Sequence, residues 1–405
     1  MSLKKGPLAL PGFAAYLTAG FISNLGSFMQ IFAESWVVLL LAGGQAARWG
    51  GRFSFASGLA MLLFIPVGGW LGDHFNRRKV LMATQAFLAL LALVAAALAW
   101  QGGLTLPRLL GLAFLGGLAT ASALPLGHAM LSDLVPQEHL GSAMALGGAQ
   151  FNLARILGPL AAALSFRALG AAGNFLLNSL SFLWLITVLA RLPLRPQTHE
   201  DTRNLGMAEA FRGFRSDPVL ARILLMATCS GLFAWTYSAL LPVYGTRYLG
   251  YREGGVAGLL AAFGVGAVAG AMWVLRHPEP AGRRITYGFA GYGAGLLLMA
   301  LPPPPALAGL PLALMGFCAS TYATVMSSQV QKRVAPHLRG RASALYMMAI
   351  VGTMAPANLI LGELAQILGP RGPLWVLRLD GLVMLGVGLL AIRLADADQN
   401  PLVPG

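Results

Sequence analysis

Gly68-Gly69-Trp70-Leu71-Gly72-Asp73-His74-Phe75-Asn76-Arg77-Arg78-Lys79-Val80-Leu81 is a short polar, basic turn set between two long apolar runs. Asp73, Arg77, Arg78 and Lys79 could not sit in hydrocarbon, where ionised groups are expensive. The stretch must therefore lie at the edge of an apolar layer. If the runs on either side cross a bilayer, this is a loop at its surface, and the chain has to be read outward from it.

Composition supports that reading. Of 405 residues, 57% are hydrophobic and only 10% are charged, with a mean hydropathy of +0.70. A soluble domain carries roughly 25% charged residues. The 51 glycines and 24 prolines are at home in membrane helices. A net charge of +14 raises nucleic acid as a partner. Basic residues placed between apolar runs instead fit loops facing anionic lipid, so none is expected. Cys229 and Cys318 both fall inside apolar runs, which excludes a disulfide framework and a cysteine metal site. Lys4 and Lys5 precede an apolar segment too long for a signal-peptide core, so it reads as the first span.

A crossing needs about 20 apolar residues, and twelve such segments are legible. The first six run Phe13–Ala42, Phe53–Leu71, Val80–Trp100, Leu106–Leu131, Ser142–Phe166 and Ala172–Leu192. The second six run Val219–Tyr244, Val256–Leu275, Ile285–Leu301, Leu307–Val330, Ala342–Ile367 and Leu374–Leu394. With the N-terminus inside, 19 of the 28 Lys and Arg residues fall on the cytoplasmic side and seven outside. Arg155 and Arg378 remain within spans. The positive-inside rule then predicts both termini in the cytoplasm.

The chain divides in the middle. Residues 1–192 form one six-span half, 193–218 a polar connection and 219–405 the other half. Within the connection, Met207, Ala210, Phe211 and Phe214 share one helical face; an interfacial helix and a solvated linker both fit. Leu140-Gly-Ser-Ala-Met-Ala-Leu146 before span 5 matches Arg339-Gly-Arg-Ala-Ser-Ala-Leu345 before span 11, 199 residues on. Two such halves with a site between them are a transporter architecture.

The pattern Gly69-x-Leu71-Gly72-Asp73-x-x-x-Arg77-Arg78 resembles the loop between helices 2 and 3 of the major facilitator superfamily. That pattern has Gly where Asn76 stands and often Arg or Lys where His74 stands. Asn tolerates a left-handed turn, so the first departure reads as mild. Arg155-Ile-Leu-Gly158-Pro159 resembles the Arg-x-x-Gly-Pro element of drug and siderophore exporters. Gly258-Leu-Leu-Ala-Ala-Phe-Gly264-Val-Gly266 and Pro336 to Met347 extend the likeness to the branch of macrolide-efflux proteins and the enterobactin exporter. The resemblance implies an all-α membrane protein of twelve transmembrane helices in two pseudo-symmetric six-helix halves. It also implies an exporter, without naming the substrate.

Ionisable groups inside a span are usually functional. Glu34 lies past the middle of span 1, with Asn24 and Gln30 on the same helix. It reads as a proton carrier, a structural partner of Arg155, or a solvated outer group; the first is favoured. Arg155, with Asn152 three residues earlier, would attract an anionic substrate group or pair with Glu34. Gly158 and Pro159 read as packing and kink. Asp73, Arg77 and Asp133 form a second cluster at the cytoplasmic side. The resemblance implies that these, with Gly69, Arg78, Gly340 and Arg341, gate that side, against the alternative that the charges only set topology. Trp235, Tyr237, Thr321, Tyr322 and Asn358 are candidate cavity residues, though packing explains hydroxyls within spans equally well. Arg378 and Asp380 are expected near the outer end of span 12, relieved by snorkelling.

No nucleophile with a matched base, metal spacing or phosphate loop appears, so neither an enzyme nor a metal or cofactor is expected. Gly264-Val-Gly266 lies inside a span and reads as helix packing. The expectation is a monomeric, multi-pass carrier in the cytoplasmic membrane. It exports an amphipathic small molecule by alternating access in exchange for protons. A dedicated siderophore or lipid-like metabolite carrier is the alternative, and a non-transporting receptor or membrane enzyme is a remoter one.

Overall fold

The computed structural model describes residues 7–10, 12–192, 207–277, 280–301, 303–335 and 338–397. Among these there are helices and turns but no strand. That follows from the solvent: a chain crossing hydrocarbon must satisfy every backbone group internally, and a helix does so within each segment. Among the described residues, nine stretches are long and apolar enough to cross a membrane by length and composition. Two of them, of 53 and 52 residues, are double length. Helix α10 (Ala281–Met299), less apolar because of its arginines and tyrosines, completes twelve crossings in two sets of six.

The chain forms two compact units, residues 1–43 with 56–201 and residues 44–55 with 202–405. Helix α1 (Phe13–Ala42) opens the first. Helix α2 (Ala46–His74) starts among residues that cluster with the second unit and continues in the first. Helices α3 (Arg77–Trp100), α4 (Leu106–Leu134) and α5 (Leu140–Arg191) follow. One end of this unit is filled by Phe13, Tyr16, Leu81, Leu126, Met130, Leu185 and Leu189.

Helix α5 holds both span 5 and span 6. It is broken at Gly170, whose backbone (φ 66°, ψ −167°) is non-helical and suits a residue without Cβ. The second arm turns back on the first. Asn174, fully buried, donates from Nδ2 to the carbonyl of Ala162 at 3.3 Å, and its Oδ1 accepts from Ser165 Oγ at 3.1 Å.

The turn between α2 and α3 corrects one expectation. Asn76 is not left-handed; its φ is −60° and ψ 111°. It is the N-cap of α3, its Oδ1 accepting the N–H of Lys79 at 3.2 Å. Asparagine is a favoured N-cap because that oxygen satisfies an amide the helix leaves bare. Asn76 therefore closes the turn through its side chain rather than through backbone freedom.

In the second unit, α6 (Met207–Ser216) is a short helix in the central connection, with Phe214 buried and Phe211 half-exposed. The predicted seventh span is two helices, α7 (Pro218–Phe233) and α8 (Thr236–Leu249), interrupted at Ala234 and Trp235. Helices α9 (Glu253–Arg276), α10, α11 (Gly309–Arg333), α12 (Arg339–Ile367) and α13 (Gly372–Ala397) complete it. Helices α9 and α11 approach backbone to backbone. A side chain on Gly266 would collide with the carbonyl of Ala313, and one on Gly316 with that of Phe263. The Gly264-Val-Gly266 segment is thus a packing surface, as small residues at membrane helix contacts usually are.

Candidate functional site

A cavity of about 410 Å³ opens within the first unit, bounded by α1 to α5. Its wall is mostly apolar, with Phe28, Phe151, Phe182 and several leucines. Phe28 and Phe151 meet edge to face at 5.3 Å. Gly158 lets α5 close on α1, because a Cβ there would strike Phe28.

Polar side chains are interspersed in this wall, and some of them are joined in a line. Asn178 Nδ2 donates to Gln30 Oε1 at 2.6 Å, and Gln30 Nε2 donates to Glu34 Oε1 at 2.7 Å. All three residues line the cavity. Asn178 is itself fixed, its Oδ1 accepting from Ser181 Oγ at 3.0 Å. Gln30 is therefore held at both ends of its amide, presenting a donor to the single carboxyl on this wall. One helical turn and a half earlier on α1, Asn24 Nδ2 donates to Gln150 Oε1 at 3.4 Å, again at the cavity wall.

The other candidates in this unit lie elsewhere. Asn152 turns back on its own helix, donating to the carbonyl of Gly148 at 2.9 Å. Arg155 is half-buried on α5 and is not among the residues lining the cavity. Towards the α2–α3 turn, Arg77 Nη1 stands 3.3 Å from Asp133 Oδ1. Arg78 donates to the carbonyls of Leu192 (3.2 Å) and Ala190. A cation is well placed there, because the last carbonyls of α5 lack helical partners. Gly69, Asp73 and Gly340 lie on helices, and nothing beyond their backbone is described. Arg341 is in the first turn of α12.

In the second unit the aromatic candidates are packed into its interior. Tyr237 stacks on Phe263 at 5.3 Å. Tyr322 shares a 3.0 Å hydrogen bond with Ser230, and Thr321 bonds the carbonyl of Phe317 at 2.8 Å. Asn358 is buried, and Trp235 sits at the break between α7 and α8. The expectation for Asp380 is corrected: it does not reach the surface but is 0% exposed. Arg378, on the same helix, lies over the ring of Trp375 at 4.6 Å.

Sequence reading missed Asn178, Gln150 and Glu363. Asn178 and Gln150 are amides inside spans, the signal that had singled out Asn24 and Gln30. Glu363 pairs with Arg48 and Arg52. The hint was two arginines one turn apart at the start of α2 and one acid near the end of α12. Among the described residues, no three His, Cys, Asp or Glu side chains converge as a metal site would require.

Similarity now adds to the geometry. The transmembrane secretion effector family matches residues 4–404. The chain belongs to that family, a branch of the major facilitator transporters. Its members are transporters, not enzymes, and the chain is a multi-pass efflux transporter of the cell membrane with a small-molecule substrate. It is 29% identical to the multidrug efflux pump Tap of Mycobacterium tuberculosis, over 99% of this chain and 96% of that protein. It is 27% identical to the enterobactin exporter EntS of Salmonella typhimurium, over 83% of this chain and 81% of that one. Among solved structures, a POT family transporter in complex with 5-aminolevulinic acid superposes with a TM-score of 0.78 at 11% identity, covering 98% of this chain and 100% of that one. The nucleoside transporter NupG gives 0.70 at 15% identity, covering 95% and 98%. These structures share the fold.

Proposed function

We propose that the chain exports an amphipathic small molecule across the cytoplasmic membrane by alternating access, in exchange for protons bound at Glu34. The observation that carries this reading is the hydrogen-bonded line Asn178–Gln30–Glu34 along the wall of a mostly apolar cavity. Such a wall suits a ligand with a large apolar body and a few polar atoms. A carboxyl among amides can exchange its proton without losing its place, because Gln30 offers one donor to it in either state. Arg155 balances the charge in this reading, and the Arg77–Asp133 pair belongs to the cytoplasmic gate together with Gly69, Asp73, Arg78, Gly340 and Arg341. The carrier works as a monomer with both termini in the cytoplasm.

The test is Glu34→Gln in proteoliposomes, with ethidium as the probe. The variant should lose efflux driven by an imposed pH gradient while keeping exchange of ethidium between equal pools. Undiminished uphill efflux would remove Glu34 from the coupling role. The likeness to EntS favours a second reading, a dedicated carrier. Thermal unfolding with macrolides, cationic dyes, catecholate siderophores and lysolipids separates the two, because a ligand of the folded state raises its stability by mass action. Shifts with several unrelated amphipaths support multidrug export, and one large shift supports the dedicated carrier.

A further inference from the structure

The second unit holds a carboxyl that nothing above employs. Asp380, a little over two turns into α13, is completely buried. Neither of its oxygens has a hydrogen-bond partner. It lies beside Thr236 of α8 and Tyr292 of α10. The Thr236 hydroxyl is likewise buried and is the donor nearest to this carboxyl.

Among the described residues, no cation is recorded acting on it. On its own helix, Arg378 is turned over Trp375. From α12, Glu363 is paired with Arg48 and Arg52. Helix α10 contributes the tyrosine hydroxyl of Tyr292, which donates to the carbonyl of Ala234, and α8 contributes Thr236 with Tyr237 behind Tyr292. The arginine of α10 with described contacts, Arg284, bonds instead to the carbonyls of Val274 and His277. Directly after Asp380, Gly381 packs against Gly293 of α10 with no room for a side chain. An ionised carboxylate buried with no cation and only one neighbouring hydroxyl is among the costliest arrangements in a protein, whereas the neutral acid is far cheaper to bury.

The second observation is the backbone break. Thr236 is the first residue of α8, and Ala234 and Trp235 separate α8 from α7. Asp380 therefore lies at the positive, N-terminal end of an interrupted membrane helix. Interrupted helices are where secondary carriers place their coupling ions. The first amides of a helix lack helical acceptors, so that end, with the Thr236 hydroxyl, suits negative charge once the packing relaxes.

We propose that Asp380, with Thr236 at the α7–α8 break, is a proton-binding site of the second six-helix half, additional to Glu34. Taking up one proton neutralises the carboxylate and favours the packed arrangement; giving that proton to water restores the charge and favours a loosened one. The idea rests on proton-coupled export, but its test does not.

The experiment is infrared difference spectroscopy of the purified full-length protein between acid and alkaline pH, without substrate. The wild type should show a protonated-carboxyl carbonyl band that disappears on alkalinisation. The band should be absent from Asp380→Asn, shifted in Asp380→Glu, and retained in Glu34→Gln. A band that does not titrate, or one unchanged in Asp380→Asn, overturns the proposal. In proteoliposomes, Asp380→Asn should lower the number of protons moved per ethidium, and an unchanged ratio also overturns it. Failure of Asp380→Asn to fold leaves Asp380→Glu and the wild-type titration to decide. If Glu34→Gln still pumps while the Asp380 band titrates, only the Glu34 assignment falls.

Discussion

Arg48 Nε stands 2.7 Å from Glu363 Oε2, joining residues 315 positions apart. Arg52, one turn further along α2, takes the other oxygen of the same carboxylate, Nη2 at 2.8 Å. Both oxygens of Glu363 are thus engaged, and residues 44–55 are held to the second unit with Ala47 packed among Leu240, Leu361 and Val376. Glu363→Gln should loosen this connection. The groups are partly exposed, so the loss is about 1 kcal/mol and shrinks as salt is raised. Hydrogen exchange of residues 44–55 should speed up in the variant; protection equal to wild type at low salt would show that apolar packing alone holds the segment.

Helices α9 and α11 touch through glycines, so a larger residue must push backbone against backbone. Gly266→Val should cost at least the 1–3 kcal/mol or so typical of overpacking, because the atom it meets is the carbonyl oxygen of Ala313 and not a flexible side chain. A detergent-purified variant should melt well below wild type. A substitution at Gly258, with open space beside it, should melt close to wild type; equal losses at both positions would count against the packing account.

Asp217 caps α7. Its Oδ1 accepts from the N–H groups of Val219 (2.8 Å) and Leu220 (3.4 Å), and Oδ2 lies 3.1 Å from Arg333 Nη1. Partial burial pushes this carboxyl up, but the two amides and Arg333 outweigh it and hold it below the usual carboxylate range. A lowered folded value means that the contribution is complete above the unfolded value, about 3.9, and is lost as pH falls through the folded one. Asp217→Ala should therefore be less stable than wild type at neutral pH, by about 1 kcal/mol for a lost cap. The gap should narrow below about pH 4. Melting temperatures across that range decide, and a constant gap would mean that the carboxylate charge contributes nothing.

The fold was largely legible because the bilayer imposes a length on every apolar run, and the runs on either side of Asp73 to Lys79 were clean. What hydropathy cannot see is anything that leaves a run apolar. The interruption at Ala234 and Trp235 breaks the helix without changing composition, so the span was legible but its division into two helices was not. Asp380 was placed near the surface because span ends are uncertain by a turn, while burial depends on which helices pack around it. Gln30 and Glu34 were visible as polar residues on one helix. Their partner Asn178 was not, because its relation to Gln30 exists only after Gly170 folds α5 back. The Glu363 pairs are likewise a product of tertiary structure.

That fold-back has a mechanical consequence. The two arms of α5 are joined through one glycine and fastened by Asn174, so the connection has almost no slack. Displacement of one arm must be passed to the other instead of being absorbed in a loop. The first arm contributes Gln150 and Phe151 to the cavity, the second Asn178 and Phe182. Two parts of one cavity wall are thus carried by a single folded strut, and whatever shifts one arm is felt at the other.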